Sequence, residues 1–311
     1  MKTIIISVIS VFMTFSALTQ ETVMLKYNLE PDKVYRLKSV TQQNMAQTVG
    51  GMQRNTTINT TTTLSLKMLE ASNDFMVVEF HFDTIMVNTN AGGMSFDINS
   101  TLPGDLNSSQ ISDVLSAVMH RYCTNPLYVK LSYDGKAIEF VNIEVFTNYV
   151  LKDIDSIKGQ MAQFIKQRAE SIADPKSISS SIESVMYYLP GKQVSVGSSW
   201  DISLKLNSGG MMYLIDSHYK LDKLENNTAD VSFESTMDPA DSGPVEMNGS
   251  KITNNIRGTS KSSMTIDTET GLIINSNGKY HMEGDIGVDT QGNNMVIPTV
   301  IDGETEIYQL P

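Results

Sequence analysis

Apolar and polar residues alternate with period two along most of the chain, and helical spacing interrupts that pattern only in the middle. Val34 to Val49 and Met52 to Leu69 read as two extended arms meeting at Gly50-Gly51, a dipeptide that accepts the positive φ of a two-residue hairpin. Each arm would be on the order of 50 Å long, a length that belongs to a curved or rolled sheet. Met76, Val78, Phe80 and Phe82 then point one way and Glu79, His81 and Asp83 the other, the signature of a strand with one wet face. Asn90-Ala91-Gly92-Gly93 turns the chain into Met94 to Asn99.

Helical spacing begins after Pro103. Ile111, Val114, Leu115, Val118, Met119 and Tyr122 form a stripe, with Ser108 or Ser109 as the expected cap and Pro126 as the stop. Leu127, Val129 and Leu131 alternate into the Asp134-Gly135 turn and out through Ile138 and Phe140. One long helix is expected from about Glu144 to Ala173, with Val150, Ile154, Ile157, Met161, Phe164 or Ile165, and Ile172 as its apolar stripe. Asp174-Pro175 supplies a cap and a first-turn proline for a second helix, closed by Pro190-Gly191. Strands return from Val194 to Gly284, and Asp238 to Ser250 and Asp285 to Gly292 read as loops.

These elements predict an α+β fold: long antiparallel, curved β-sheet, half-barrel-like, with a central group of covering helices. The expected organisation is one domain over residues 20–311, with a β-rich block at 20–143, a helical bridge at 144–189 and a second β-rich block at 190–311. The blocks echo each other weakly. Leu66 to Glu70, a turn and Val77 to Phe80 parallel Leu221 to Glu225, a turn and Val231 to Phe233, a likeness that duplication and chance explain equally well.

The N-terminus changes the picture. Lys2, an apolar run from Ile4 to Leu18 and small residues before Thr19/Gln20 form a secretory leader over residues 1–19, too short to span a bilayer comfortably. The mature chain is expected to be exported, to the periplasm or beyond, without a lipid anchor, because no cysteine stands at the cut. No later segment reaches the ~18 apolar residues of a membrane span. With 23 Lys+Arg against 35 Asp+Glu, a net charge of −12 spread along the chain disfavours nucleic acid and anionic membrane as partners. The one cysteine, Cys123, excludes an intramolecular disulfide and reads as a small buried hydrophobe.

Candidate chemistry is sparse. Glu79, His81 and Asp83 share one strand face at roughly 7 Å spacing, but ligands on a straight strand do not converge on one ion, and a solvated face explains them better. Ser217-His218-Tyr219-Lys220 matches S-x-x-K on a strand, where Ser and Lys do not share a side. His120 lies on the exposed side of its helix, and no phosphate loop, nucleophile elbow or paired-histidine metal motif occurs. The expectation is a non-enzymatic protein without metal or cofactor. It binds a partner or presents a surface or, alternatively, carries an apolar or lipid ligand between sheet and helices. For the carrier, the candidate lining residues are Phe80, Phe82, Met161, Phe164, Ile165 and Trp200. The partner would then be an apolar ligand or an envelope protein.

Three short motifs add a resemblance. Leu189-Pro190-Gly191-Lys192 followed by Val194, Val196, Gly197 and Trp200, then Ile266-Asp267 with Thr270-Gly271-Leu272-Ile273, and the N-terminal Pro31 to Tyr35 resemble an uncharacterised family of secreted, Bacteroidetes-type bacterial proteins classed as a domain of unknown function. The resemblance implies an exported α+β domain and brings no catalytic residues. At the level of architecture, long strands with covering helices are also similar to half-barrel carriers of lipids and lipoproteins in the bacterial envelope.

Overall fold

In the computed structural model, which describes residues 21–159, 162–208, 211–240, 243–247, 249–290 and 292–311, the described residues form one long antiparallel sheet, a separate two-stranded sheet and four α-helices. The expected leader lies outside the described residues. In chain order the elements are β1 (Thr22–Leu25), β2 (Val34–Val49), β3 (Met52–Ala71), β4 (Phe75–Ala91), β5 (Met94–Asn99), α1 (Ile111–Tyr122), β6 (Leu127–Ser132) and β7 (Ala137–Phe140). The helical stretch follows as α2 (Ile143–Val150), a 3-10 turn at Ile154–Ser156, α3 (Ala162–Ala173) and α4 (Pro175–Met186). Then come β8 (Lys192–Ser195), β9 (Ser199–Ser208), β10 (Met211–Glu225), β11 (Thr228–Pro239), β12 (Val245–Met247), β13 (Ser250–Asn254), β14 (Arg257–Asp267), β15 (Ile273–Thr290) and β16 (Asn293–Leu310).

The main path of the sheet runs β7-β6-β4-β3-β2-β16-β15-β14-β11-β10-β9, open at both ends. The two blocks share one topology within it. β7-β6-β4-β3-β2 and β15-β14-β11-β10-β9 use the same hairpins and the same skipped connection, and β16 is the seam between them, paired to β2 from Thr299↔Gln47 to Leu310↔Arg36. The sheet curves until α4 reaches both of its edges. On β7, the Ala137 N–H donates to Glu183 Oε1 at 3.2 Å. On β9, Ser180 Oγ lies 2.9 Å from the Lys205 carbonyl and accepts from the Asn207 N–H at 3.4 Å. The helix thereby satisfies backbone groups that an open sheet edge otherwise leaves to water.

One hydrophobic core runs through both blocks and the helices. Its closed end is tied at Tyr27, which is fully buried. The Tyr27 N–H donates to the Tyr133 carbonyl in the β6–β7 turn, the Asn28 N–H donates to the Thr270 carbonyl in the β14–β15 turn, and the Tyr27 hydroxyl donates to the Met186 carbonyl at the end of α4 at 2.8 Å. Gly271 passes so close that a Cβ there would lie 2.5 Å from the Lys26 carbonyl. The Gly191 N–H donates to the Leu25 carbonyl. The Trp200 indole donates to the Tyr188 carbonyl, and the Tyr188 hydroxyl to that of Gly271. Two of the three motifs that carried the family resemblance, those around Pro190-Gly191 and Thr270-Gly271, therefore converge on this tie and serve the fold.

Several expectations change. The single helix from Glu144 to Ala173 is broken: Asp153 adopts a left-handed φ of 59° and Gly159 one of 106°, so α2 and α3 are separate pieces. The α1 N-cap is Gln110, with no side-chain bond, rather than Ser108 or Ser109. At α4, Asp174 caps as expected, accepting from the Ser177 N–H, with Pro175 in the first turn. The Asp238 to Ser250 loop includes β12, and Asp285 to Thr290 extends β15. His120 is half-buried and donates through Nδ1 to the Ser100 carbonyl at 2.8 Å, not exposed.

Candidate ligand groove

Strand register places inward-facing side chains in rows across the curved sheet. One row reads Thr60, Thr41, Thr305, Gly278, Ser262, Phe233, Tyr219 and Trp200 from β3 to β9. The next reads Ile58, Gln43, Gly303, Tyr280, Ser260, Ser235, Ser217 and Ile202. Large apolar residues flank both rows: Met45, Ile301, Met282, Met237 and Ile215 toward the open end, and Ile307, Met264, Val231 and Leu221 toward the core. Serine, threonine and glycine in the middle rows fill too little space to pack the concave face, and a groove results.

The groove has two contiguous parts. One, of about 430 Å³, lies over the small-residue rows and is walled by Leu206, Tyr213, Ile215, Phe233, Met237 and Ile301. The other, of about 400 Å³, lies between the sheet and helices α1, α3 and α4, with Phe82, Ile85, Tyr122, Arg168, Ile172 and Val185 among its walls. Thr41, Leu206 and Ile307 line both. Volumes of this size suit a small-molecule or single-chain ligand, for which sites run about 300–1,000 Å³. The hydroxyls on its floor are mostly engaged: Thr41 with Thr305 at 3.0 Å, Ser217 with Ser235 at 2.7 Å, and the Tyr280 hydroxyl donates to Gln43 Oε1 at 3.1 Å. The Tyr280 ring lies flat over Gly303, where a Cβ would come 2.1 Å from it. Arg168, on α3, lines this part of the groove and is exposed, while neighbouring protein partly desolvates its guanidinium and lowers it from the ordinary value.

Another depression, of about 800 Å³, is an open dish on the convex face lined by Lys261, Lys279, His281, Asp302 and Glu304. Its charges are paired across strands: Lys279 with Glu304 at 3.7 Å and His281 Nδ1 with Asp302 at 2.7 Å. The concave groove is the better candidate because it is walled by apolar side chains and has depth.

Of the lining residues read from sequence, Phe82 lies along the helical part of the groove, its ring tilted against that of Tyr122 with centroids 5.0 Å apart. Phe80 and Ile165 are buried in the packed core, and Phe164 packs against it half-buried. Trp200 is buried too, stacked on Tyr219 at 5.6 Å. Met161 lies outside the described residues. The groove's own determinants are the small inward residues, and their signal was present in alternations such as Gly258-x-Ser260-x-Ser262-x-Met264 and Ser276-x-Gly278-x-Tyr280-x-Met282.

The outer-face triad is spent on ion pairs, Glu79 with Lys67 at 3.8 Å and Asp83 with His81 at 2.9 Å and Arg36 at 3.7 Å. Among the described residues no group of three potential metal ligands is assembled. Ser217 faces inward, whereas Lys220 is exposed and pairs with Asp222 at 2.9 Å, so the S-x-x-K residues do not meet. Cys123 is buried, which pushes its thiol up.

No curated protein matches this chain. Among solved structures, lipovitellin, described for its lipid–protein interactions, aligns at TM-score 0.47 and 11% identity over 91% of this chain, which spans only 26% of that protein. An outer membrane channel from Pseudomonas putida aligns at TM-score 0.24 and 5% identity, covering 91% of this chain and 97% of the channel. A DUF1329 family protein from Desulfovibrio piger aligns at TM-score 0.12 and 9% identity, covering 86% and 83%. The model of a family of unknown function, DUF6263, matches residues 73–273, from β4 through the start of β15, and the chain belongs to that family.

Proposed function

We propose that this is an exported, non-catalytic binding protein that holds an apolar or amphipathic ligand along the concave face of its sheet, with α1, α3 and α4 as the cover. The observation that carries this reading is the continuous, apolar-walled groove left by the small-residue rows. Burial of a hydrocarbon tail contributes about 0.8 kcal/mol per methylene, so a tail of about ten carbons suffices against the cost of association. Export rests on the N-terminal leader pattern, and N-terminal sequencing of secreted or periplasmic material beginning at Gln20 checks it.

Native mass spectrometry of protein purified without detergent tests the groove. Wild type is expected to carry an excess mass of lipid size. Thr41→Trp, which fills the junction of the two cavities, is expected to lose that mass while melting as a folded protein. A clean apo mass that persists after incubation with lipid extract would sink the carrier reading. It would favour a protein-docking role, for which the exposed methionines Met52 and Met94 at the hairpin tips speak.

A further inference from the structure

Arg168 stands apart from the other charges of this acidic protein. It is the one acidic or basic side chain among the residues lining the helical part of the groove, and no carboxylate lines that space. With 35 Asp and Glu in the sequence, a partner would be easy to supply, yet among the described residues Arg168 has no ion pair or hydrogen bond. The polar residues that line the same space include hydroxyls: Ser171 on α3, Ser177, Ser181 and Ser184 on α4, and Thr62 on β3. Arg168 is exposed, and its unpaired guanidinium presents a planar fork of donors at the edge of the groove. Carboxylate and phosphate oxygens match that fork, and a charge-assisted bond there exceeds a neutral one. Leu206 and Ile307 lead from this point into the apolar part of the groove, walled by Ile215, Phe233 and Met237.

We propose that Arg168 receives the oxyanion head of a single-chain amphiphile whose tail runs past Leu206 and Ile307 toward Ile215 and Met237. This names the ligand class for the groove and rests on the carrier reading above. The net negative charge of the protein does not oppose it, because the lining itself holds a lone cation.

The test uses the mature protein, stripped of bound amphiphile, titrated with palmitate, its neutral methyl ester, dodecyl phosphate and laurate. Wild type is expected to bind palmitate about ten- to a hundred-fold tighter than the ester, the range of a hydrogen bond to a charged group. Arg168→Gln is expected to bring palmitate down to the affinity of the ester and leave the ester unchanged. Arg168→Lys, which keeps the charge and loses the fork, falls between. Ser181→Asp places a carboxylate in the lining at an exposed position and is expected to reproduce the selective loss without touching Arg168. Dodecyl phosphate binding tighter than laurate, the carboxylate of matching chain length, would support the proposal with a phosphate head, and the reverse order would support it with a carboxylate. Equal affinity of acid and ester in wild type, or equal loss of both in Arg168→Gln, overturns the role of Arg168 and leaves the groove reading standing. Failure of all the probes to bind overturns both.

Discussion

Replacing Tyr27 by phenylalanine removes one hydroxyl from the point where both blocks and α4 are tied. That hydroxyl donates to the Met186 carbonyl at 2.8 Å, and without it the carbonyl keeps only the longer bond from the Tyr188 N–H at 3.3 Å. Tyr27 is fully buried, so water does not readily replace the lost donor. The net value of a hydrogen bond plus part of the desolvation of its acceptor puts the loss at about 1–2 kcal/mol. Tyr27→Ala also removes the ring that sits edge-on to Tyr188 at 5.9 Å, and deleting a buried aromatic costs about 3–5 kcal/mol. For a chain of this size each kcal/mol corresponds to about 2 °C in Tm. The expected drops are then about 2–4 °C for Phe and 6–10 °C for Ala. The assay is built in: the one tryptophan of the sequence, Trp200, donates its indole N–H to the Tyr188 carbonyl at 3.0 Å, so its fluorescence reports on this cluster. Tyr27→Phe melting with wild type, or both variants falling equally, would refute the tie as a load on the fold.

Glycine substitutions separate strain from crowding. Gly50→Ala at an open hairpin tip meets nothing within 4 Å and should cost only the strain of φ +59°, about 1–3 kcal/mol, whereas Gly135→Ala adds a Cβ 1.9 Å from the Met186 carbonyl and should melt well below it in parallel thermal scans. Burial raises the phenols of Tyr27, Tyr122, Tyr188 and Tyr219, the last to about 12, so their contribution is complete below the unfolded value of about 10 and declines above it. Alkaline titration should therefore show tyrosinate absorbance rising together with loss of fold between pH 10 and 12; ionisation of these groups in a fully folded protein would contradict it. The hydrogen bond to Asp302 raises His281 above its ordinary value, so its small stabilising contribution is present below about pH 6.5 and lost as pH rises through the folded value. Asp302→Asn should move the NMR titration midpoint of His281 downward, and an unmoved midpoint would place the cause elsewhere.

Much of the sheet was legible because period two is unambiguous where one face is wet. β2 and β3, their Gly50-Gly51 turn, α1, β6 and α4 lie where the pattern put them. β16 was missed for a physical reason. Met295, Val296, Ile297, Val300 and Ile301 do not alternate, and Pro298 argues against a central strand. Its place resolves the conflict: β2 pairing begins at Thr299, so the missing N–H of Pro298 costs no bond on that side. The break between α2 and α3 was hidden because Ile154 and Ile157 keep helical spacing across it and are buried all the same. Most of the candidate lining residues fall in the core for a related reason. Large apolar residues such as Phe80 and Trp200 mark where a core is filled, and a cavity is marked by the small residues between them.

β16 also dictates an order of events. It is the last strand in sequence, yet it lies in the interior of the sheet and pairs residues such as Leu310 and Arg36 that are far apart along the chain. A chain made from its N-terminus delivers β2 early and its partner late. Until that strand arrives, β2 and β15 each present a long unpaired edge, open to pairing with another molecule. Loop closure over such a span is slow compared with forming the hairpins on either side. Final assembly must therefore follow delivery of β16. The waiting interval, more than the stability of the finished sheet, is when this protein is most exposed to aggregation and most in need of a holding chaperone.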